Sequence, residues 1–194
     1  MDAWGVSVKK RVLFRGFGAF KRDVSATTAV EFALLAFPFF MTLLGIFDIS
    51  TMYFASTTLE KGTYAVARKV KTGEVVANSM TAQQFKQELC DEVSGMLACD
   101  QRLQVDVRTF QQFNQANLPP PLNPDGTIDN SQFQFNPGNA GDVVLVRTFY
   151  VWSVATPFWG QLFSNMAGGT FLMQAAAAFR NEPFAAGSGS WNGS

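Results

Sequence analysis

The sequence contains no histidine, only two cysteines and few charged residues. The lack of histidine excludes Ser-His-Asp and Cys-His catalysis and removes the commonest metal ligand. Two cysteines are too few for a structural zinc site or an iron–sulfur cluster. Charged residues make up 15% of the chain, whereas soluble domains have roughly 25%. We therefore expect no metal, no other cofactor and no enzymatic activity.

The basic and acidic residues balance at 15 each, which argues against general nucleic-acid binding. Their distribution is uneven, however. Residues 1–72 hold ten basic and five acidic side chains, and residues 73–194 hold five basic and ten acidic ones. This asymmetry indicates two different environments along the chain.

A basic N-terminal stretch precedes a long apolar run. Between Val24 and Phe47 the only ionisable residue is Glu31. As a helix, this run would extend about 36 Å, enough to cross a bilayer core of about 30 Å. The basic flank predicts a cytoplasmic N-terminus, so the chain beyond about residue 50 would lie outside the inner membrane.

A cleavable secretory signal is the competing interpretation of this run. Such a signal has a shorter apolar core and a small-x-small cleavage site, which residues 48–55 match poorly. The helical pattern also continues, because apolar residues recur at three- and four-residue spacing as far as Val70. Gly73 follows three cations and marks the helix end. We predict one helix from about Val24 to Thr72, with a membrane-like first half and an amphipathic second half.

The remaining chain predicts a small α+β head, in which the long helix covers one face of about three antiparallel strands. Ser79 or Thr81 could cap a further helix that ends at Met96. Residues 114–141 have the composition of a long surface loop. The strand candidates are Leu103–Arg108, Asp142–Trp152 and Thr170–Phe179. The alanines of the third candidate also permit a helix.

Cys90 and Cys99 are the two cysteines of the chain. On an unbroken helix they would lie about 13 Å apart on opposite sides, so pairing requires the helix to end between them, near Ser94-Gly95. In an oxidising periplasm we expect a structural disulfide. A redox-active pair is disfavoured, because there is no Cys-x-x-Cys motif and no partner base.

Glu31 is the informative residue of the apolar run. One interpretation places its carboxylate in the lipid headgroup region, and the other gives it a positive partner on a neighbouring copy. Small residues at Ala26, Ala29, Ala33 and Ala36 offer a face for close helix packing, and Pro38 predicts a kink. Calcium at Asp125, Asp129 and Asp142 is a weaker alternative, because their spacing is not that of an EF-hand loop.

The segment Arg22-Asp-Val-Ser-Ala-Thr-Thr-Ala-Val-Glu-Phe-Ala-Leu-Leu-Ala-Phe-Pro38 resembles the start of the TadE-like pseudopilins. These proteins are minor subunits of the Tad (tight adherence, Flp-type) pilus machinery. The resemblance extends over residues 22–184. The later blocks that carry it are Tyr64–Arg68, Thr72-Gly73, Phe135–Gly138, Asp142–Val146 and Arg180–Phe184.

The resemblance implies cleavage by a prepilin peptidase between Ala26 and Thr27, which makes Glu31 the fifth residue of the mature chain. Alanine stands before the cut, where the family usually has glycine. Glu31 would then hold register by pairing with the Thr27 amine of the next subunit, and Ala29, Ala33, Ala36 and Pro38 would pack against neighbouring helices. The implied partners are the major pilin, other minor pilins, the inner-membrane assembly platform and membrane lipid.

The expected organisation is a basic cytoplasmic leader at 1–26, a long helix at 27–72, a periplasmic or extracellular head at 73–184 and a flexible tail at 185–194. The expected function is that of a minor pilin in Tad-type pilus assembly, supporting surface adhesion and biofilm formation. The alternative is a single-pass envelope protein with a partner-binding head that is neither processed nor assembled.

Overall fold

The computed structural model describes residues 24–115, 118, 120–156, 159–160 and 163–184. Its contacts divide the chain into one unit that ends at Leu44 and a second that begins at Gly45. Most of the expected leader and the whole expected tail lie outside the described residues.

The first helix, α1, runs over Val24–Lys71, which confirms the prediction of one long N-terminal helix. Its last turn carries three cations, which interact favourably with the partial negative charge at a helix C-terminus. Gly73 then adopts a φ of 78°, and its N–H donates to the Val70 carbonyl at 3.0 Å. A left-handed glycine of this kind ends helices because it carries no Cβ to clash.

From Ala55 onward, α1 buries one face in the core of the second unit. The buried positions follow helical spacing, and Leu59, Val66 and Val70 are at most 1% exposed. Gly62 lies on the same face, where an added Cβ would come within 2.5 Å of a methyl group of Val93. This glycine therefore allows the helix that carries Val93 to approach α1 closely.

Two further helices follow, α2 at Glu74–Ala77 and α3 at Ala82–Val93. Of the two predicted caps, Thr81 is the one used. Its hydroxyl accepts from the Gln84 N–H, while the Gln84 side chain accepts from the Thr81 N–H, which is a capping box. The helix ends at Val93, three residues before the predicted Met96.

The sheet has three antiparallel strands in the order β1-β2-β3, namely Leu103–Phe110, Val143–Ser153 and Thr170–Arg180. The alanine-rich third segment is a strand, not a helix. Along it Ala175 and Ala177 are buried, while Ala176 and Ala178 are exposed. This alternation places one face of β3 in the core and leaves the other at the surface.

The loop between β1 and β2 wraps around the outer edge of β1. Phe135 forms a bridge with Val107, whose N–H and C=O bond the neighbouring loop backbone at 2.8 Å. On the helix side of the sheet the Phe135 ring contacts Phe85, with centroids 5.3 Å apart. On the other side, Phe133 stacks on Phe149 at 5.4 Å. The predicted surface loop therefore covers part of both faces.

Candidate membrane and assembly helix

The first unit consists, where it is described, of the apolar part of α1. This part exposes large apolar side chains that soluble monomers bury: Val30, Phe32, Leu34, Leu35, Phe37, Phe39, Phe40, Leu43 and Leu44. Over Thr27–Lys71 the helix is long and apolar enough to cross a membrane, with a mean hydropathy of 2.1 in its most apolar window. The chain therefore has an N-terminal candidate membrane span.

Glu31 lies exposed on this apolar surface. Among the described residues it forms no ion pair, so any cation that pairs with it comes from elsewhere. Ala29 and Ala33 are exposed beside it, and Ala36 is half-buried. These small side chains leave the backbone accessible to a neighbouring helix.

The predicted cleavage position, Ala26–Thr27, belongs to the first turn of α1. Pro38 lies inside α1, and the helix is continuous through it. The Thr42 hydroxyl donates to the Pro38 carbonyl at 2.8 Å. Hydroxyls that bond back to a carbonyl four residues earlier are common near bends in helices.

The two cysteines come together at the end of α3. Cys90 and Cys99 are joined as a disulfide, with their Cα atoms 5.6 Å apart. The helix ends between them, with Ser94 as its C-cap, as the pairing requires. The Ala98 N–H donates to the Tyr150 hydroxyl at 3.2 Å, which attaches this turn to β2.

The segment between β2 and β3 contacts α1 at Asp48 and Gly45. The Asp48 carboxylate accepts hydrogen bonds from the Thr156 hydroxyl and from the Thr156 N–H, the latter at 3.3 Å. One turn earlier, the Trp159 ring lies so close to Gly45 that an added Cβ would be 2.8 Å from it. The sequence analysis did not identify either contact, although Asp48 is the first charged residue after the apolar run.

A buried ion cluster lies beneath the loop on the other face of the sheet. Asp106 is fully buried, and its carboxylate binds Arg147 at 2.6 Å and Arg108 at 3.0 Å. The Gln134 N–H donates to the same carboxylate at 2.9 Å. The period-two pattern of β1 indicated a half-buried strand, and the cluster was missed because the loop covers the second face. The alternation of Phe133 and Phe135 with glutamines was the one signal of that cover.

Three of the later sequence blocks that carried the resemblance meet at the end of the sheet. The Asn181 side chain donates to the carbonyls of Pro137 and Asn139 at 2.9 and 3.0 Å, and its N–H donates to the Asp142 carbonyl at 2.8 Å. The following residues reach the end of α1, because the Glu182 N–H donates to the Lys71 carbonyl at 2.9 Å. These residues tie the end of β3 to the C-terminus of α1.

The aspartates considered for calcium serve local turns. The Thr127 hydroxyl lowers the pKa of the Asp125 carboxyl by hydrogen bonding, and Ser131 does the same for Asp129. Asp142 accepts from the Asn139 N–H at 2.7 Å. Within the described part of the chain, no three His, Cys, Asp or Glu side chains group together in a way that could hold a metal ion.

Comparison with models of protein families gives a match over part of α1. Residues 26–68 match a family model described as TadE-like protein. No curated protein and no solved structure matches the chain. The match confirms the resemblance over the segment that contains Glu31 and the apolar run, and it does not extend to the blocks beyond residue 68. Over residues 26–68, which form most of α1, the chain is therefore similar to the TadE-like proteins.

Proposed function

We propose that the chain is a minor pilin (pseudopilin) of a Tad-type pilus system. It is inserted in the inner membrane, cut by a prepilin peptidase between Ala26 and Thr27, and drawn into pilus assembly. In this proposal residues 1–26 are the leader, 27–72 the long helix, 73–184 the head and 185–194 a flexible tail. The TadE-like match supports a pilus-related role.

The observation that carries the proposal is that the two parts of α1 differ in burial. Up to Leu44 its large apolar side chains are exposed, and from Ala55 onward its buried face belongs to a folded core. A helix of this kind can occupy lipid first and a bundle of like helices later, because both environments cover apolar side chains. TadE-like proteins form a structural family, which agrees with this role.

In this proposal Glu31 sets the register between the helices of neighbouring subunits. An exposed carboxylate on an apolar helix is unfavourable in hydrocarbon unless it meets a positive charge or polar groups. Cleavage before Thr27 creates an α-amino group four residues away, and the same amine on a neighbouring subunit can pair with Glu31. Pairing in an apolar bundle is stronger than in water, since the local dielectric is lower. Ala29, Ala33, Ala36 and Pro38 pack beside it.

The proposed topology follows from the charge flank. The basic N-terminus stays in the cytoplasm, and the head lies in the periplasm or, after assembly, on an extracellular pilus. The proposed partners are the major pilin, other minor pilins, the prepilin peptidase and the inner-membrane assembly platform. Support of surface adhesion and biofilm formation would follow from the pilus itself.

N-terminal sequencing and intact mass of the protein from native membranes test the proposal. A mature chain that starts at Thr27 is the expected result. A chain that starts at Met1 would contradict processing and favour the alternative, a single-pass envelope protein with a partner-binding head.

A further inference from the structure

We infer that the described part of the segment between β2 and β3, namely residues 154–156, 159–160 and 163–169 (the β2–β3 loop), rests in the outer interface of the membrane, where it contacts phospholipid. The inference rests on the membrane-spanning part of the proposed function and is independent of cleavage and assembly. In sequence, none of the sixteen residues at 154–169 is charged. Residues 109–124 are uncharged as well, so the lack of charge agrees with this placement and the contacts with α1 decide it.

The place where the loop meets α1 sets its depth. Phe32–Phe47 contains no ionisable residue, and Asp48 follows it. Sixteen helical residues extend about 24 Å, most of a hydrocarbon core of about 30 Å. The loop contacts α1 at Gly45 and Asp48, which is the end of that run. Its contact point therefore lies at the boundary between hydrocarbon and headgroups.

The side chains at this level suit that boundary. Trp159 stacks with Phe163 at a centroid distance of 5.6 Å. Tryptophan is enriched at membrane interfaces, because its ring is apolar and its N–H is polar. On α1 at the same level, Ile46 and Phe47 are 61% and 66% exposed. The half-buried aromatic pair therefore lies at the level of α1 where these apolar side chains are exposed.

Hydrogen bonds to Asp48 also stabilise the loop at this position. A carboxylate at the edge of hydrocarbon is unfavourable unless donors satisfy it. Thr156 supplies both its hydroxyl and its N–H to Asp48. The loop therefore provides the polar contacts that the nearby lipid tails lack, and it is held against the helix in return.

Quenching of tryptophan fluorescence by brominated lipids tests the inference. The chain has four tryptophans, so two full-length variants each retain one, at Trp159 or at Trp152, with phenylalanine at the others. In vesicles we expect lipid brominated near the headgroup to quench Trp159 at least two-fold more than Trp152, which packs against Tyr150. Equal, weak quenching of both, in protein that resists carbonate extraction, would overturn the inference.

A second measurement uses the unmodified chain, in case the variants fold poorly. In vesicles that carry a photoactivatable group near the lipid headgroup, trypsin cleavage after Arg108, Arg147 and Arg180 separates residues 109–147 from 148–180. We expect label on 148–180 and little on 109–147. Equal labelling would contradict the inference. If carbonate extracts the chain from the vesicles, the membrane span itself is contradicted. If the N-terminus is not cleaved, the proposed function is contradicted and the inference about the loop is not.

Discussion

The Arg147 guanidinium donates through Nη2 and Nε to one oxygen of the Asp106 carboxylate, at 2.6 and 3.1 Å. The two residues are register partners on β1 and β2, and both are almost fully buried. The loop that crosses this face supplies a further donor from Gln134. The ion pair therefore joins two strands and the loop above them.

Replacement Asp106→Ala removes the carboxylate and leaves the buried Arg147 charge without it. We expect the free energy of unfolding to fall by about 3–5 kcal/mol, because one half of a buried pair is costly alone. Denaturant titration of the detergent-solubilised full chain measures the change. Asp125→Ala, at an exposed turn, is the matched control and should change stability far less. Similar losses in the two variants would argue against a structural role for the pair.

Gly62 is required by the close approach of α1 and α3. Replacement Gly62→Val would force side-chain atoms into Val93 and Leu89, and we expect a loss of about 1–3 kcal/mol from overpacking. Gly95→Val is the control, since no heavy atom lies within 4 Å of the Cβ position there. Chemical denaturation compares the two. A smaller effect at position 62 than at 95 would contradict the packing argument.

The Cys90–Cys99 disulfide closes a short loop and restricts the unfolded chain. Replacement of both cysteines by serine should lower the free energy of unfolding by about 2–3 kcal/mol, according to the loop-closure entropy. Thermal melting with and without reductant measures the effect. Reductant should lower the melting temperature of the native chain and leave the double variant unchanged. A native chain insensitive to reductant under unfolding conditions would show that the pair is not formed.

Asp100 and Arg102 form an ion pair at the surface of the head. Its hydrogen bond from the Arg102 guanidinium lowers the pKa of the Asp100 carboxyl below the ordinary value of about 3.9. The folded pKa is lower than the unfolded one, so this pair stabilises the protein above pH 4 and ceases to do so as the pH falls through the folded pKa.

The measurement is the difference in melting temperature between the native chain and Arg102→Gln. We expect a positive difference at pH 7 that shrinks steadily below pH 4. When Asp100→Asn is already present, the further change Arg102→Gln should alter the melting temperature by an amount that does not depend on pH. A gap that stays constant from pH 7 to pH 2 would contradict the assignment to this carboxyl.

Replacement Glu31→Leu should leave the chain in the membrane but prevent its incorporation into pili, because the positive partner loses its carboxylate. Glu31→Gln keeps the size and removes the charge, and it should fail in the same way. Immunodetection of the subunit in sheared surface filaments, against its level in membranes, measures incorporation. Normal incorporation of the glutamine variant would refute charge pairing.

The elements of this fold could be predicted because their periodicities are strong. The helix over residues 24–72 and the strands at 103–108 and 142–152 agree with the structure to within a few residues. The segment that begins at Thr170 was predicted as a strand with a helix as the alternative, since alanine accepts both structures. The structure confirms the strand, in which Ala175 and Ala177 are buried in the core with residues of α1.

The tertiary contacts of the candidate site could not be predicted from the sequence. Asp48 and Thr156 are 108 positions apart, and nothing local to either residue indicates the other. The Asp106–Arg147 pair likewise depends on strand register, which a single sequence does not specify. The apolar run and Glu31, by contrast, are visible directly, because a carboxylate among sixteen or more uncharged residues stands out by composition alone.

The cover over the outer edge of β1 limits how this sheet can associate with others. At Val107 the loop already occupies the backbone groups that an incoming strand would use. At the opposite edge, Asn165 occupies the N–H and C=O of Leu172, and no strand lies beside β3 from Gln174 onward within the described residues. Two copies joined through that edge would each present β1 outward, where Val107 is already paired with the loop. The loop therefore opposes the addition of a further strand at Val107, and sheet extension beyond such a pair is disfavoured there.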